Sequence, residues 1–175
     1  MDIFVEQIIR RRKSPLDMLI ILALAMVSCA IVFVSILYVP SLSFVLLVAV
    51  CYGSYWIGSS RNLEFEYSVT NGDLTIDKII SRRSRKRVIS LDCKNVEAMG
   101  EYNPQEHASK RYEKKFFTGS YADGRGCWYV SLHHPKQGNI LVVFDPEEKI
   151  LEAMRPFLPH QLAYEVLGRP GQTKY

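Results

Sequence analysis

The chain has 175 residues, of which 48% are apolar, and its formal net charge is +4. This length allows one compact domain beside a membrane anchor. Much of the excess positive charge lies in two clusters, at residues 10–13 and 82–87. Such clusters can bind nucleic acid or an anionic membrane surface, and the apolar stretch in the same chain favours the membrane surface. The cysteines lack the paired spacing of a zinc site or a disulfide scaffold, so free thiols are expected.

Residues 1–14 are predicted to form an amphipathic segment at the membrane interface. Ile3, Phe4, Ile8 and Ile9 recur about one helical turn apart, which favours a short helix lying on the bilayer. The segment ends in four cations that are expected at the membrane surface. We call them the N-terminal basic cluster: Arg10, Arg11, Arg12 and Lys13.

Residues 15–60 are predicted to form a transmembrane hairpin, with helices over about 16–38 and 42–58. No charged residue occurs between Asp17 and Ile57, and a helix of about 20 apolar residues can cross a bilayer. Tyr55 and Trp56 lie near the end of the second helix, where aromatic rings favour the headgroup zone. A signal peptide is disfavoured because a second apolar stretch follows and no cleavage site separates the two.

Basic residues flank both ends of this hairpin, whereas its turn carries no charge. The N-terminal basic cluster precedes the hairpin and Arg61 follows it. By the positive-inside rule we expect a multi-pass membrane protein with both termini in the cytoplasm. The two crossings contain no ionisable side chain that would indicate a transport path, so the hairpin is interpreted as an anchor.

Residues 61–160 are predicted to form a mainly-β cytoplasmic domain. Apolar residues alternate with polar ones from Leu63 to Val69, and Asn71-Gly72 then indicates a hairpin turn. A C-terminal helix is expected to begin after Asp145 and to end at Pro159. Residues 161–175 are predicted to be a short helical turn and a loose tail. The seven predicted antiparallel strands lie near 63–69, 74–80, 88–91, 96–102, 116–121, 128–133 and 140–144.

Seven strands followed by one helix is the order of a pleckstrin-homology-like (PH-like) barrel capped by a C-terminal helix. The whole chain resembles the bacterial PH-like membrane proteins, through residues 66–74, the basic stretch that follows, and residues 88–91. It is also similar to a family of small membrane proteins from clostridia-type bacteria. The resemblance implies a membrane-tethered interaction domain in the bacterial inner membrane, and it supplies no catalytic residues.

A second basic cluster, within residues 82–87, is the most specific candidate site in the sequence. It is expected in a loop that returns close to the bilayer. Cations near an anionic surface each contribute about 1 kcal/mol, so this loop is predicted to bind lipid headgroups. A solvated loop that serves topology and solubility is the alternative. The cluster lacks the interleaved aromatic residues of a nucleic-acid site. Its members are Arg82, Arg83, Arg85, Lys86 and Arg87.

Other residues offer little catalytic or metal chemistry. His133 and His134 are adjacent in a predicted strand and so point to opposite faces, which disfavours a shared metal. Cys127 is interpreted as a buried structural thiol, and no cofactor is expected. The polar segment 103–115 is a possible partner surface.

The sequence therefore predicts an interaction module that binds a protein or peptide partner, or the bilayer itself, and that is not an enzyme. A homo-oligomeric membrane scaffold without a separate ligand is the alternative. An enzyme acting on a lipid or envelope precursor is disfavoured, because no constellation of titratable residues is evident.

Overall fold

The computed structural model describes residues 3–134 and 137–168, so Met1, Asp2 and most of the predicted tail lie outside the described residues. The chain divides into two compact units. The helical unit comprises residues 13–63, and the β-rich unit combines residues 1–12 with residues 64–175. The helical unit is thus inserted in the sequence between two parts of the β-rich unit.

The helical unit contains α1 (Pro15–Tyr38) and α2 (Ser43–Ser59), with a short 3-10 turn (Pro40–Leu42) between them. Ser14 precedes α1, and its N–H donates to the Asp17 carboxylate at 3.1 Å, which satisfies one N-terminal backbone group. The mean hydropathy is 2.9 for α1 and 1.6 for the 3-10 turn with α2. Both stretches are long and apolar enough to cross a membrane.

The N-terminal segment is a strand, so the prediction of an interfacial helix is wrong. β1 (Phe4–Arg10) pairs antiparallel with β2, and Arg10 lies opposite Glu64. Its side chains alternate between the core and solvent, with Gln7 buried at the centre. Val5 and Ile9 face the core on either side of Gln7, and β-branched side chains favour strands, whereas a helix of about ten residues is marginal in water.

Two four-stranded sheets replace the predicted seven-stranded barrel, and among the described residues no ladder closes them into a barrel. Their strand orders are β1-β2-β3-β4 and β5-β7-β8-β6. β6 runs parallel to β8, contrary to the antiparallel prediction. The remaining strands are β2 (Leu63–Thr70), β3 (Asp73–Ile80), β4 (Ser84–Asp92), β5 (Val96–Glu101), β6 (Lys114–Phe117), β7 (Trp128–His134) and β8 (Gly138–Phe144).

The main core lies between the sheets and the C-terminal helices. Tyr67, Leu74 and Ile76 are fully buried together with Phe144 and Met154. The predicted C-terminal helix comprises α3 (Glu148–Met154) and a 3-10 turn (Arg155–Phe157), and α4 (His160–Leu167) lies where a short helical turn is predicted. Pro159 separates the last two elements because proline lacks the N–H that would continue a helix.

The hairpin between β2 and β3 confirms the prediction from Asn71-Gly72. Both residues have positive φ, 49° and 96°, as tight turns between strands commonly require. The Asn71 side chain also accepts a hydrogen bond from the Ile3 N–H at 3.0 Å. This turn therefore ties the residue that precedes β1 to the rest of the first sheet.

Candidate functional site

A bulge in β4 turns basic side chains onto the outer face of the first sheet. Ile76 lies opposite Ile89, but the next pair is Asp77 with Arg87, so Val88 is an extra residue in β4. An extra residue shifts the alternation of side chains by one position. Ile89 therefore stays buried in the core, whereas Arg87 lies on the outer face.

Glu64 on β2 brings the two basic clusters together. Its Oε1 lies 2.9 Å from Nε of Arg10 and 3.5 Å from Nε of Arg82. The Glu64 side chain is only 13% exposed, whereas those of Arg10 and Arg82 are 71% and 72% exposed. The carboxylate thus lies at the base of the site and the guanidinium groups reach solvent.

Two further carboxylates hold arginines in the same way. Glu66 accepts a hydrogen bond from Arg85, and Asp77 accepts one from Nε of Arg87 at 3.4 Å. The carboxylate side chains are 6% and 14% exposed, and their arginines are 57% and 66% exposed. Charge-assisted bonds to such largely buried acids fix the direction of the arginine side chains.

These arginines border an open cleft of about 670 Å³. Ile8 of β1 and Ile79 of β3 supply apolar lining, and Ile8 is 59% exposed. Arg83 also lines the cleft, and its side chain has no ion pair within the part of the chain that the structure describes. The cleft thus combines exposed apolar surface with guanidinium groups, at least one of them uncompensated. We call it the basic cleft: Ile8, Arg10, Glu64, Ile79, Arg82, Arg83, Ser84 and Arg85.

The second basic cluster is not one loop, which corrects the prediction. Only Arg82 and Arg83 lie in the turn, and β4 begins at Ser84. The Arg83 N–H donates to the Ile80 carbonyl at 3.0 Å, while Ser81 and Arg82 have φ of 51° and 57°. Two consecutive positive φ values match a type I′ hairpin turn, which suits the twist of the flanking strands.

Arg11 and Arg12 of the N-terminal basic cluster do not line the basic cleft. Arg11 stacks over Phe65, with 5.9 Å between its guanidinium carbon and the ring centre. Arg12 lies 4.9 Å from the ring centre of Tyr121. Lys13 belongs to the helical unit and is exposed. Within the β-rich unit, only Arg10 of this cluster joins the second basic cluster.

The other predicted interface residues lie in the helical unit. The side chains of Tyr55 and Trp56 are exposed near the end of α2. Arg61 follows this helix, and its Nη1 lies 3.8 Å from Oδ1 of Asp17 at the start of α1. The ion pair therefore joins the two ends of the helical hairpin.

The polar segment after β5 encloses a second, aromatic cluster. His107 is 1% exposed, and its Nδ1 lies 2.8 Å from the Tyr112 hydroxyl. The His107 ring packs against Tyr129 at 4.2 Å and against Tyr102 at 5.4 Å between ring centres. Burial lowers the pKa of His107, and nearby Lys110 adds to this effect.

The candidate metal and thiol residues are separate from the basic cleft. His133 is exposed, and its Nδ1 lies 2.8 Å from Oδ1 of Asn139. Cys127 is buried, and desolvation raises the pKa of its thiol. Among the described residues, no group of three or more His, Cys, Asp or Glu side chains could hold a metal ion.

Sequence reasoning missed the residues that organise the basic cleft. The alternation from Leu63 to Val69 indicates only that Glu64 and Glu66 are the polar positions of a half-buried strand. Ile8 was assigned to a helix, so its position beside Ile79 was not anticipated. The alternation of apolar residues at Val5 and Ile9 with polar or exposed neighbours was the signal that could have identified β1.

The basic cleft, the two sheets and the C-terminal helices define a PH-like β-rich unit joined to apolar helices. The chain belongs to the bacterial PH-like domain family (DUF6106), whose model matches residues 1–164. This confirms the predicted PH-like family and includes the N-terminal strand and the apolar helices in it. The resemblance to clostridia-type proteins stays a prediction. Neither the curated proteins nor the solved structures contain a significant match to the chain.

Proposed function

We propose that the protein is a membrane-anchored interaction module whose basic cleft docks the β-rich unit on the anionic surface of a bilayer. The observation that carries this proposal is the convergence of Arg10 with Arg82, Arg83 and Arg85 around one cleft. Exposed Ile8 adds an apolar contact, as expected for a surface that meets both headgroups and the upper acyl region.

The charges set the strength of such docking. Five arginines occupy the outer face, whereas three carboxylates neutralise part of their charge. With about 1 kcal/mol for each uncompensated cation, the interaction is worth roughly 2 kcal/mol. This is too weak to recruit a soluble protein but sufficient for a tethered one, because an anchor raises the effective concentration of the surface.

The helical unit supports the membrane part of the proposal. Both of its stretches are long and apolar enough to cross a bilayer. By the positive-inside rule, the basic residues on both flanks support a multi-pass topology with both termini in the cytoplasm of a bacterial cell. In the sequence, only residues 11–14 separate Arg10 from the start of α1.

Amide hydrogen exchange of the full-length protein in vesicles tests the docking. Phosphatidylglycerol-containing vesicles are expected to slow exchange at residues 79–87 relative to purely zwitterionic vesicles, and high salt is expected to abolish the difference. The variant with Arg82→Gln, Arg83→Gln and Arg85→Gln should lose the protection. A matched variant with Lys94→Gln, Lys110→Gln and Arg111→Gln removes three exposed cations elsewhere and should keep it. Equal exchange in the two kinds of vesicle would reject the proposal.

The homo-oligomeric scaffold and the enzyme acting on an envelope precursor have no comparable support among the described residues. A PH-like unit is generally non-catalytic. We therefore retain the docking module as the single proposed function.

A further inference from the structure

The two sheets have four strand edges, and one of them differs from the rest. α3 contacts β1, and α4 contacts β5. β6 is the shortest of these edge strands, with four residues. β4 has nine residues, and within the described residues only β3 pairs with it. β4 is therefore the longest of the four edge strands among the described residues.

We infer that the free edge of β4 over residues 84–87 receives an extended acidic segment of a partner protein. The segment would add a strand to the first sheet through backbone hydrogen bonds, and its carboxylates would contact the basic side chains of the edge. This inference goes beyond bilayer docking, because docking uses side chains on the face of the sheet and strand addition uses the backbone at its edge.

A pair of like charges gives this edge its preference for acidic residues. Lys86 lies directly opposite Lys78 of β3 in the register of the sheet. Neither lysine forms an ion pair within the described residues, and like charges directly opposite each other destabilise a sheet. A glutamate or aspartate opposite Lys86 on an added strand would have its Cβ about 5 Å from that of Lys86 and would relieve the repulsion.

The same charges disfavour a second copy of this chain as the occupant. Pairing β4 with its own equivalent would bring Arg85, Lys86 and Arg87 close to an identical basic set. The bulge at Val88 also interrupts regular pairing beyond residue 87. The edge therefore suits a heterologous segment that is short, extended and acidic.

Binding of designed peptides to the full-length protein in zwitterionic nanodiscs tests the inference. A labelled peptide of alternating Glu and Val is the probe, and a Lys–Val peptide is the charge control. A Glu–Val peptide with N-methyl groups on alternate amides keeps its charge but cannot pair along its methylated edge. The unmethylated Glu–Val peptide is expected to bind about ten-fold tighter than either control, equivalent to about 1.4 kcal/mol, and to slow amide exchange at residues 84–87.

The variant Lys86→Glu is expected to lose this affinity by a similar factor. Lys94→Glu, which changes an exposed lysine beyond the end of β4, should leave binding unchanged. Equal binding of the N-methylated peptide would overturn the inference, because it would show charge attraction without strand addition. Protection confined to β6, or unchanged binding to Lys86→Glu, would overturn it as well. Docking on anionic vesicles is measured separately, so either proposal can fail alone.

Discussion

Replacement of Gln7 by leucine tests whether β1 is an integral strand of the β-rich unit. Gln7 is 4% exposed; its Nε2 donates to the Asp145 carbonyl at 3.0 Å, and its Oε1 accepts from the Glu147 N–H at 2.8 Å. Leucine has a similar volume but leaves both backbone groups without this partner. Each buried unsatisfied group costs about 1–3 kcal/mol. Because the Asp145 region is partly exposed, we expect the free energy of unfolding to fall by about 2–4 kcal/mol in total.

Thermal unfolding of the full-length protein in detergent measures this loss. In a Trp56→Phe background, fluorescence reports Trp128, which packs against the core of the β-rich unit. At roughly 4 °C for each kcal/mol, Gln7→Leu is expected to lower Tm by about 8–16 °C. Glu6→Leu introduces the same residue at the neighbouring exposed position and should change stability by less than about 0.5 kcal/mol. Equal stability of the two variants would refute the proposed role of β1.

Two further predictions concern the turn before β4 and the buried histidine. Ser81 has a φ of 51°, so Ser81→Gly is expected to raise Tm by relieving about 1 kcal/mol of left-handed backbone strain. Ser81→Val should lower Tm. Scanning calorimetry of both variants checks whether their Tm values lie on opposite sides of the unsubstituted protein's. His107 has a lowered pKa because it is buried, so its neutral form stabilises the fold above the unfolded pKa of about 6.5. Stability should therefore fall as pH drops from about 7 through the folded pKa of His107, and denaturant titrations should show a weaker dependence for His107→Phe.

Much of the fold could be predicted because its signals are local. The strict alternation from Leu63 to Val69 and the Asn71-Gly72 turn identified β2 and β3 directly. A charge-free stretch with a proline at its centre was sufficient to identify α1 and α2. In each case a few adjacent residues carry the relevant periodicity or backbone preference.

The errors occurred where long-range pairing decided the structure. Ile3, Phe4, Ile8 and Ile9 satisfy a helical spacing, but β1 is stabilised by a strand more than 50 residues away. The parallel pairing of β6 with β8 leaves no local trace either. The basic cleft depends on both kinds of information, because Arg10 reaches it through β1, and Arg85 reaches the outer face only through the bulge at Val88.

The discontinuity of the β-rich unit determines which fragment of the chain can fold alone. A fragment of residues 63–168 lacks β1, so it exposes the edge of β2 and loses the hydrogen bonds of Gln7. Arg10 and Glu64 lie opposite each other, at a separation that a hairpin loop of two to five residues can span. Residues 3–12 joined by a short Gly-Ser linker to residues 63–168 should therefore fold as a soluble, cooperatively unfolding unit. The fragment of residues 63–168 alone should aggregate or unfold at a lower temperature. If both fragments unfold at the same temperature, β1 adds nothing to the stability of the β-rich unit, and residues 63–168 form a complete folding unit without it.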